Sequence, residues 1–497
     1  MNTSKITFAV ITAVSVGASH EALAIDLYVD TKTKQIYAEP GPNREKMGSF
    51  VRVEDAAPET KPATTEDAKE LSAIRGELAT KSMEIKALQK HMTEAEKVNV
   101  KLDNKGIGFE SADKNFKFRL GGRIHADASF HGGDPYLEDG ESVEAEEGTE
   151  IRRARMRFEG VFFKDWLFRT EADFADDNVR MKDVYLQYLG SKFVTITAGQ
   201  QKQNFSRELQ ESSNDMMFTE RSLMNILNAP VVDRAIGIDF EHFSDSFTAK
   251  LGFYGDSISP PDEQDPTGDE GWGISSRIIY SPVNEKNKLI HLGVAGNYRE
   301  PDDNQEVAKG KKLRYVYETT NMSSLNVIDQ KINDVNDIKM LGLEAAGMYG
   351  PYSIGAEYTR SWIDCSASCD GDTSKSNIEL DGWYAEAAWS VTGESRKYQY
   401  GNFRYLEPSK PFNPGTGGWG AWELAMRYSA ASLNNGGFLG GEISNITAAI
   451  NWYINTNFRF QANYMHVLDT ENAALTKPDG GNVDNLDVFM LRGQVAF

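Results

Sequence analysis

Beyond its first two dozen residues the sequence has no run of about 20 apolar residues, the length a helix needs to cross a bilayer. The rest of the chain is therefore either soluble or crosses a membrane as strands. It also lacks a surplus of positive charge: its formal charge is -21 at pH 7. No basic face is on hand to neutralise nucleic-acid phosphates, which excludes nucleic acid as a partner. Sulfur is scarce. The two cysteines, Cys365 and Cys369, sit in the small polar loop Asp364-Cys-Ser-Ala-Ser-Cys-Asp-Gly-Asp372, where a short disulfide is expected. With no histidine beside them they make a poor metal site, and the seven histidines are scattered without ligand spacing. No metal and no cofactor is expected.

Catalytic signatures are missing as well. There is no phosphate loop, HExxH helix or GxSxG elbow. The stretch Gly415-Thr-Gly-Gly-Trp-Gly420 fits GxGxxG, but it follows Asn413-Pro414 and leads into an alternating segment. Without a strand before it and a helix after it, it reads as a flexible turn. The chain is not expected to be an enzyme.

What is present begins with Lys5, an apolar run from Ile6 to Gly17 and the small-residue site Ala22-Leu23-Ala24, which predict a secretory signal over residues 1–24. Residues 25–65 form a mixed segment and a Pro/Thr/Glu-rich linker. Over 66–103 a helix is expected, because Leu71, Leu78, Ile85 and Met92 recur every seven residues with Ile74, Leu88 and Ala95 on companion positions and Lys81 as the polar exception. That spacing predicts a coiled coil, placed in the periplasm.

From about Gly108 to Phe497 the texture changes to alternation. In Phe116–Phe130, Phe116, Phe118, Leu120, Ile124, Ala126, Ala128 and Phe130 share one face; Lys117, Arg119, Arg123, His125 and Asp127 share the other. In Ile151–Phe162, Ala154, Met156 and Phe158 oppose Arg153, Arg155, Arg157 and Glu159. An arginine facing lipid at mid-bilayer costs about 2–4 kcal/mol, so these three point inward. Similar alternation recurs at 166–174, 193–199, 235–240, 247–254, 272–280, 289–298, 338–349, 352–363, 383–391, 419–428, 446–454, 458–468 and 489–497. A composition of 40% hydrophobic residues suits a barrel that is apolar outside and polar inside. The fold expected is an all-β, antiparallel transmembrane barrel in an outer membrane. Much of the acid lies in apparent loops, such as Glu138–Glu150 and Asp262–Glu270, so the lumen can carry the opposite sign.

Ile151-Arg-Arg-Ala-Arg-Met-Arg-Phe-Glu-Gly160, Gly199-Gln-Gln-Lys-Gln-Asn-Phe-Ser-Arg-Glu208, Glu220-Arg-Ser-Leu223, Asp233-Arg-Ala-Ile-Gly237, Gly418-Trp-Gly-Ala-Trp-Glu-Leu-Ala-Met-Arg-Tyr-Ser429 and Ala449–Tyr464 resemble, in order, the phosphate-selective porins O and P. The resemblance implies sixteen strands, a homotrimer, and a loop after the fifth strand folded into the pore, here near Gln203–Asn228. It also implies passage of phosphate or similar small anions along inward cations, for which the candidates are Arg153, Arg155, Arg157, Arg119, Arg123, Lys202, Arg207 and Arg234. Guanidinium suits the task, being permanently charged with a planar fork of donors for oxyanions. Pairing of these arginines with Glu159, Glu171 and Asp173 is the competing reading. On the same fold, the acidic composition leaves a general or weakly cation-preferring porin as an alternative. A third reading makes the coiled coil a structural spacer between outer membrane and cell wall.

Overall fold

The computed structural model describes residues 25–32, 36–50, 65–95, 98–103, 105–133, 136–138, 140–144, 146–258, 270–301, 313–322, 325–366, 368–369 and 375–497. The expected signal, the linker over 51–64 and most of the acidic stretch Asp262–Glu270 lie outside the described residues. Two compact units divide near residue 91.

In the first unit, Ile25–Asp30 is the central strand of a three-stranded antiparallel sheet, flanked by Ile36–Tyr37 and Arg44–Phe50. A helix runs from Thr65 to Ala95. On it Ile74, Leu78, Ile85 and Leu88 are 55–72% exposed, an apolar row left open in the single chain. The helix is shorter than expected. Val98–Asp103 is a strand, paired with Gly106–Ser111 through a turn in which Gly106 takes φ +102°. The reason is in the residues: Val98, Val100 and Leu102 alternate with Asn99, Lys101 and Asp103, a period of two that a helix cannot use.

The second unit is a closed barrel of sixteen antiparallel strands, shut by the pairing of Asp487–Ala496 with Phe116–Gly132. The strand Phe116–Gly132 carries two partners end to end on one edge, Asp487–Ala496 along its upper part and Gly106–Ser111 below. Strict alternation sorts the faces. On Lys288–Glu300, Ile290, Leu292 and Val294 are exposed outward, while His291 is fully buried inside.

One strand of the sixteen-stranded wall has no clear signal in the sequence. Arg180–Tyr188 pairs with Trp166–Asp173 and with Thr195–Lys202. Its opening Arg-Met-Lys-Asp carries three charges in four residues, and its pairing slips between Thr170 and Ala172, so no clean period of two shows there. Counting it makes Thr195–Lys202 the fifth strand.

Connections at one end are short, as at 163–165, 244–246, 286–287 and 350–351, and those at the other are mostly long, which puts the short end in the periplasm. The exception is 391–420, a long connection at the short end. Among the outer loops, Cys365 and Cys369 are disulfide-bonded, their Cα atoms 5.5 Å apart. The same end holds an apolar cluster that includes Ile226, Tyr315, Val327, Phe438, Val467 and Val483.

Because Val294 lies outward near the middle of its strand, Val294→Arg should lower barrel stability in lipid vesicles by about 2–4 kcal/mol. Urea titration of the refolded protein checks this, and an unchanged midpoint would contradict the assigned faces.

Candidate functional site

The segment 203–233, after the fifth strand, turns into the barrel instead of out to solvent. Backbone inside a lumen has to find partners among side chains. Here the wall supplies them. Glu357, from Tyr352–Cys365, accepts hydrogen bonds from Ser206 Oγ and from the amides of Arg207 and Glu208, each at 2.8 Å. Arg207 in turn donates to Tyr384 and Glu386 at 2.6 and 2.7 Å. Glu208 accepts from the amide and hydroxyl of Ser222 and from Arg427, which draws the two ends of the loop together. Farther on, the carbonyls of Met216 and Thr219 accept from Arg459 and Arg492 at 2.8 and 2.6 Å.

From the periplasmic side, 391–420 rises to meet this loop. Arg396 donates to the Asp215 carbonyl, Arg404 pairs with its carboxylate at 3.4 Å, and the Tyr405 amide bonds to it at 3.2 Å. The connection is itself held from the wall: Arg277, paired with Glu344 at 2.8 Å, also donates to Gly401 O and Asn402. The lumen is thus narrowed from both ends at one level.

Within the inserted loop the charges are strongly perturbed. Burial pushes the Glu211 carboxyl up to about 7, against the pull of Arg396 and Arg207. Glu220 goes the other way. Burial disfavours its ionised form, yet Arg152, Arg153 and Arg492 together hold its carboxyl far below the usual range.

Beside the constriction lies a cavity of about 800 Å³ lined by thirteen basic and five acidic side chains. Six of the eight cations expected from the sequence line it: Arg123, Arg153, Arg155, Arg157, Lys202 and Arg234. Arg119 does not; it pairs with Asp103 at 2.7 Å. Neither does Arg207, whose fork is spent on the loop anchor. Pairing with lumen carboxylates is extensive. Arg123 and Arg155 share Glu171 at 2.9 and 3.2 Å, Arg155 also meets Asp173 at 2.7 Å, Arg157 lies 3.7 Å from Glu159, and Arg234 meets Asp183 at 2.8 Å.

Five cations of the lining have no carboxylate in salt-bridge contact among the described residues: Arg153, Arg180, Lys182, Lys202 and Arg221. Arg153 is only 5% exposed, and its Nη1 has no hydrogen-bond partner. Lys202 and Arg221 reach only main-chain carbonyls, Lys202 those of Leu209 and Glu211, Arg221 those of Glu208 and Glu211.

Arg180, Lys182 and Arg221 were missed in the sequence, the first two because their strand was, the third because loop residues have no period to read. Arg152 was missed for a different reason. Alternation from Arg153 would turn it to lipid, but His125 pairs with Arg153 and Ala126 with Ile151, so Arg152 occupies a one-residue bulge. It points inward and meets Glu220 at 3.0 Å.

The sequence model of the family described as phosphate-selective porin O and P matches residues 118–497. Porin O of Pseudomonas aeruginosa is 25% identical over 418 residues, covering 79% of this chain and 91% of that protein. An uncharacterised protein of Caulobacter vibrioides is 28% identical over 374 residues, covering 73% of this chain and 71% of that one. Among solved structures, the anion-selective porin from Comamonas acidovorans aligns with 77% of this chain and all of its own at a TM-score of 0.47 and 13% identity.

Removing a buried charge from the anchor leaves its partners uncompensated, at a cost of about 3–5 kcal/mol. Glu357→Gln should destabilise the protein on that scale, read by denaturant titration, and should turn a steady single-channel current into a noisy one as the loop comes loose. A quiet, unaltered current would show that the loop is held elsewhere.

Proposed function

The chain belongs to the phosphate-selective porin O and P family, and on that premise we propose that its lumen is a diffusion path for phosphate and similar small oxyanions. The observation that carries this reading is the set of five cations around one cavity that no carboxylate of the described residues contacts, above all the buried Arg153. A buried guanidinium that no carboxylate touches is costly, even with Glu220 near enough to act on it through its charge. An arriving oxyanion would relieve that cost, accepting the planar fork of donors that no protein carboxylate uses. The paired arginines have a separate role, holding each other's geometry while lending the cavity part of its positive field. Because several cations share the space and none encloses an ion alone, binding at each step stays moderate enough for release.

The experiment is the reversal potential of the purified protein in a planar bilayer under a salt gradient, repeated with phosphate added to chloride. Anion preference with phosphate blocking chloride current is expected. Arg153→Gln should weaken that block by about tenfold, the scale of one hydrogen bond to a charged group. Arg119→Gln, outside the cavity, should leave it nearly unchanged. Cation preference, or indifference to phosphate, would overturn the assignment and favour a general porin.

We further propose that the native assembly is a trimer whose helices Thr65–Ala95 associate in the periplasm. The open row of Ile74, Leu78, Ile85 and Leu88 supports this, since a two-turn apolar period left uncovered in one chain is what self-association buries. Leu78→Cys should cross-link between copies of the full-length protein on mild oxidation. Absence of a cross-linked species would leave the helix as a lone strut, in keeping with a spacer between membrane and cell wall.

A further inference from the structure

On the outer-loop side of the constriction the lumen is divided. The helix Asn225–Val232 packs against the hairpin strand Leu313–Glu318, and Ile226, Val231, Val232, Leu313 and Tyr315 join there in the same dry apolar cluster. On one side of this partition is a cavity of about 390 Å³, with Val316, Glu318, Asn321, Thr447 and Met465 in its wall. On the other is a cavity of about 790 Å³, with Val179, Gln203, Asp256, Arg299 and Ile338 in its wall. Only Ala229 and Pro230, exposed residues of the dividing helix, belong to both walls, and the two cavities come nearest each other there.

Each cavity meets the basic cavity below at its own place. The narrow one shares Arg152, Arg153 and Arg221 with it; the wide one shares Arg180, Lys182, Asp233 and Arg234. The two sets have no member in common. Each junction also contains cations that no carboxylate of the described residues contacts, Arg153 and Arg221 at the first, Arg180 and Lys182 at the second. Crossing the apolar partition would strip an ion of water with nothing to replace it, so exchange between the two sides above the junctions is disfavoured.

We propose that the pore is forked: anions from outside reach the basic cavity through two parallel inlets, a narrow one guarded by Arg153 and Arg221 and a wider one guarded by Arg180 and Lys182. The inference rests on the anion-conducting reading for what flows, but the fork itself is a matter of path. Parallel conductors add, whereas a single funnel would have every ion pass the same residues.

Both native cysteines are tied up in the disulfide, so Val316→Cys and Val179→Cys each offer one thiol to a polyethylene-glycol maleimide, one in each inlet and neither in the basic cavity. Labelling is followed by mass shift and folding by heat-modifiable migration. Asn225→Cys and Ser257→Cys, which line the same two cavities, replace any variant that does not fold. Each tag alone should remove part of the single-channel conductance, Val179→Cys the larger part, and the labelled double variant should lose nearly all of it. The fork is overturned if either tag alone abolishes the current or if a fully labelled variant conducts as before. Reversal potentials of the surviving currents are read in the same records. Two additive inlets that prefer cations would keep the fork and remove the anion assignment.

Discussion

Glu357 receives the hydroxyl of Ser206 and two successive amides, and the form of the lumen depends on that one carboxylate. A sixteen-stranded wall by itself encloses a water-filled channel. What narrows it is main chain that has left the sheet, and such a chain stays inside only if each of its polar groups is met. The wall from Trp272–Glu285 to Phe438–Tyr453 is built for this. Arg277, Glu344, Glu357, Tyr384, Glu423 and Arg427 are buried on it and Glu386 half-buried, engaged with one another or with the inserted loop. Such buried pairs add little net stability against apolar replacements. Their value here is geometric, because a carboxylate held by the Tyr384 hydroxyl of the wall and by three donors of the loop has one position, and the loop inherits it.

Consuming one wall in this way leaves the other to the solvent. The strands from Phe116–Gly132 to Phe247–Tyr254 face the basic cavity, and their cations outnumber the acids they face. This resolves the tension between a chain of charge -21 and a pore for anions. Whole-molecule charge counts residues on loops and in the periplasm, whereas an ion in a low-dielectric cleft responds to the nearest charges. The acids that do enter the lumen, among them Glu171, Asp173 and Asp183, are bound to particular arginines.

Most of the architecture was legible because membrane strands advertise themselves: lipid accepts only apolar side chains, and a period of two repeats in almost every strand. The limits were equally physical. Arg180–Tyr188 opens with charges on consecutive residues and a slipped register, which hides its period. The helix was expected to continue through Val98–Asp103, beyond the last heptad position at Ala95, where a period of two had already replaced the heptad. For the site, residue type and inward direction could be read, so Arg153, Arg155 and Arg157 were found together. Which of them stays out of contact with a carboxylate could not, since their partners come from strands whose register no local pattern records. Arg207 shows this well. In sequence it is one more inward cation, and only Glu357 and Glu386, some 150 and 179 residues away, make it an anchor.

The bulge at Arg152 changes the parity of its strand. Below it the outward residues are Ala154, Met156 and Phe158; above it the outward residue is Ile151. A regular strand can offer the lumen one side chain for every two residues, a step of roughly 6.6 Å along the wall. At the phase change two guanidiniums arrive in succession, at about half that step. The strand thereby doubles its linear charge density at a single level, opposite the inserted loop, without any lengthening of the barrel. It follows that deleting one residue there would leave the strand's pairing intact and every lipid-facing side chain in place, yet thin the charge at the one height where an ion must be recognised.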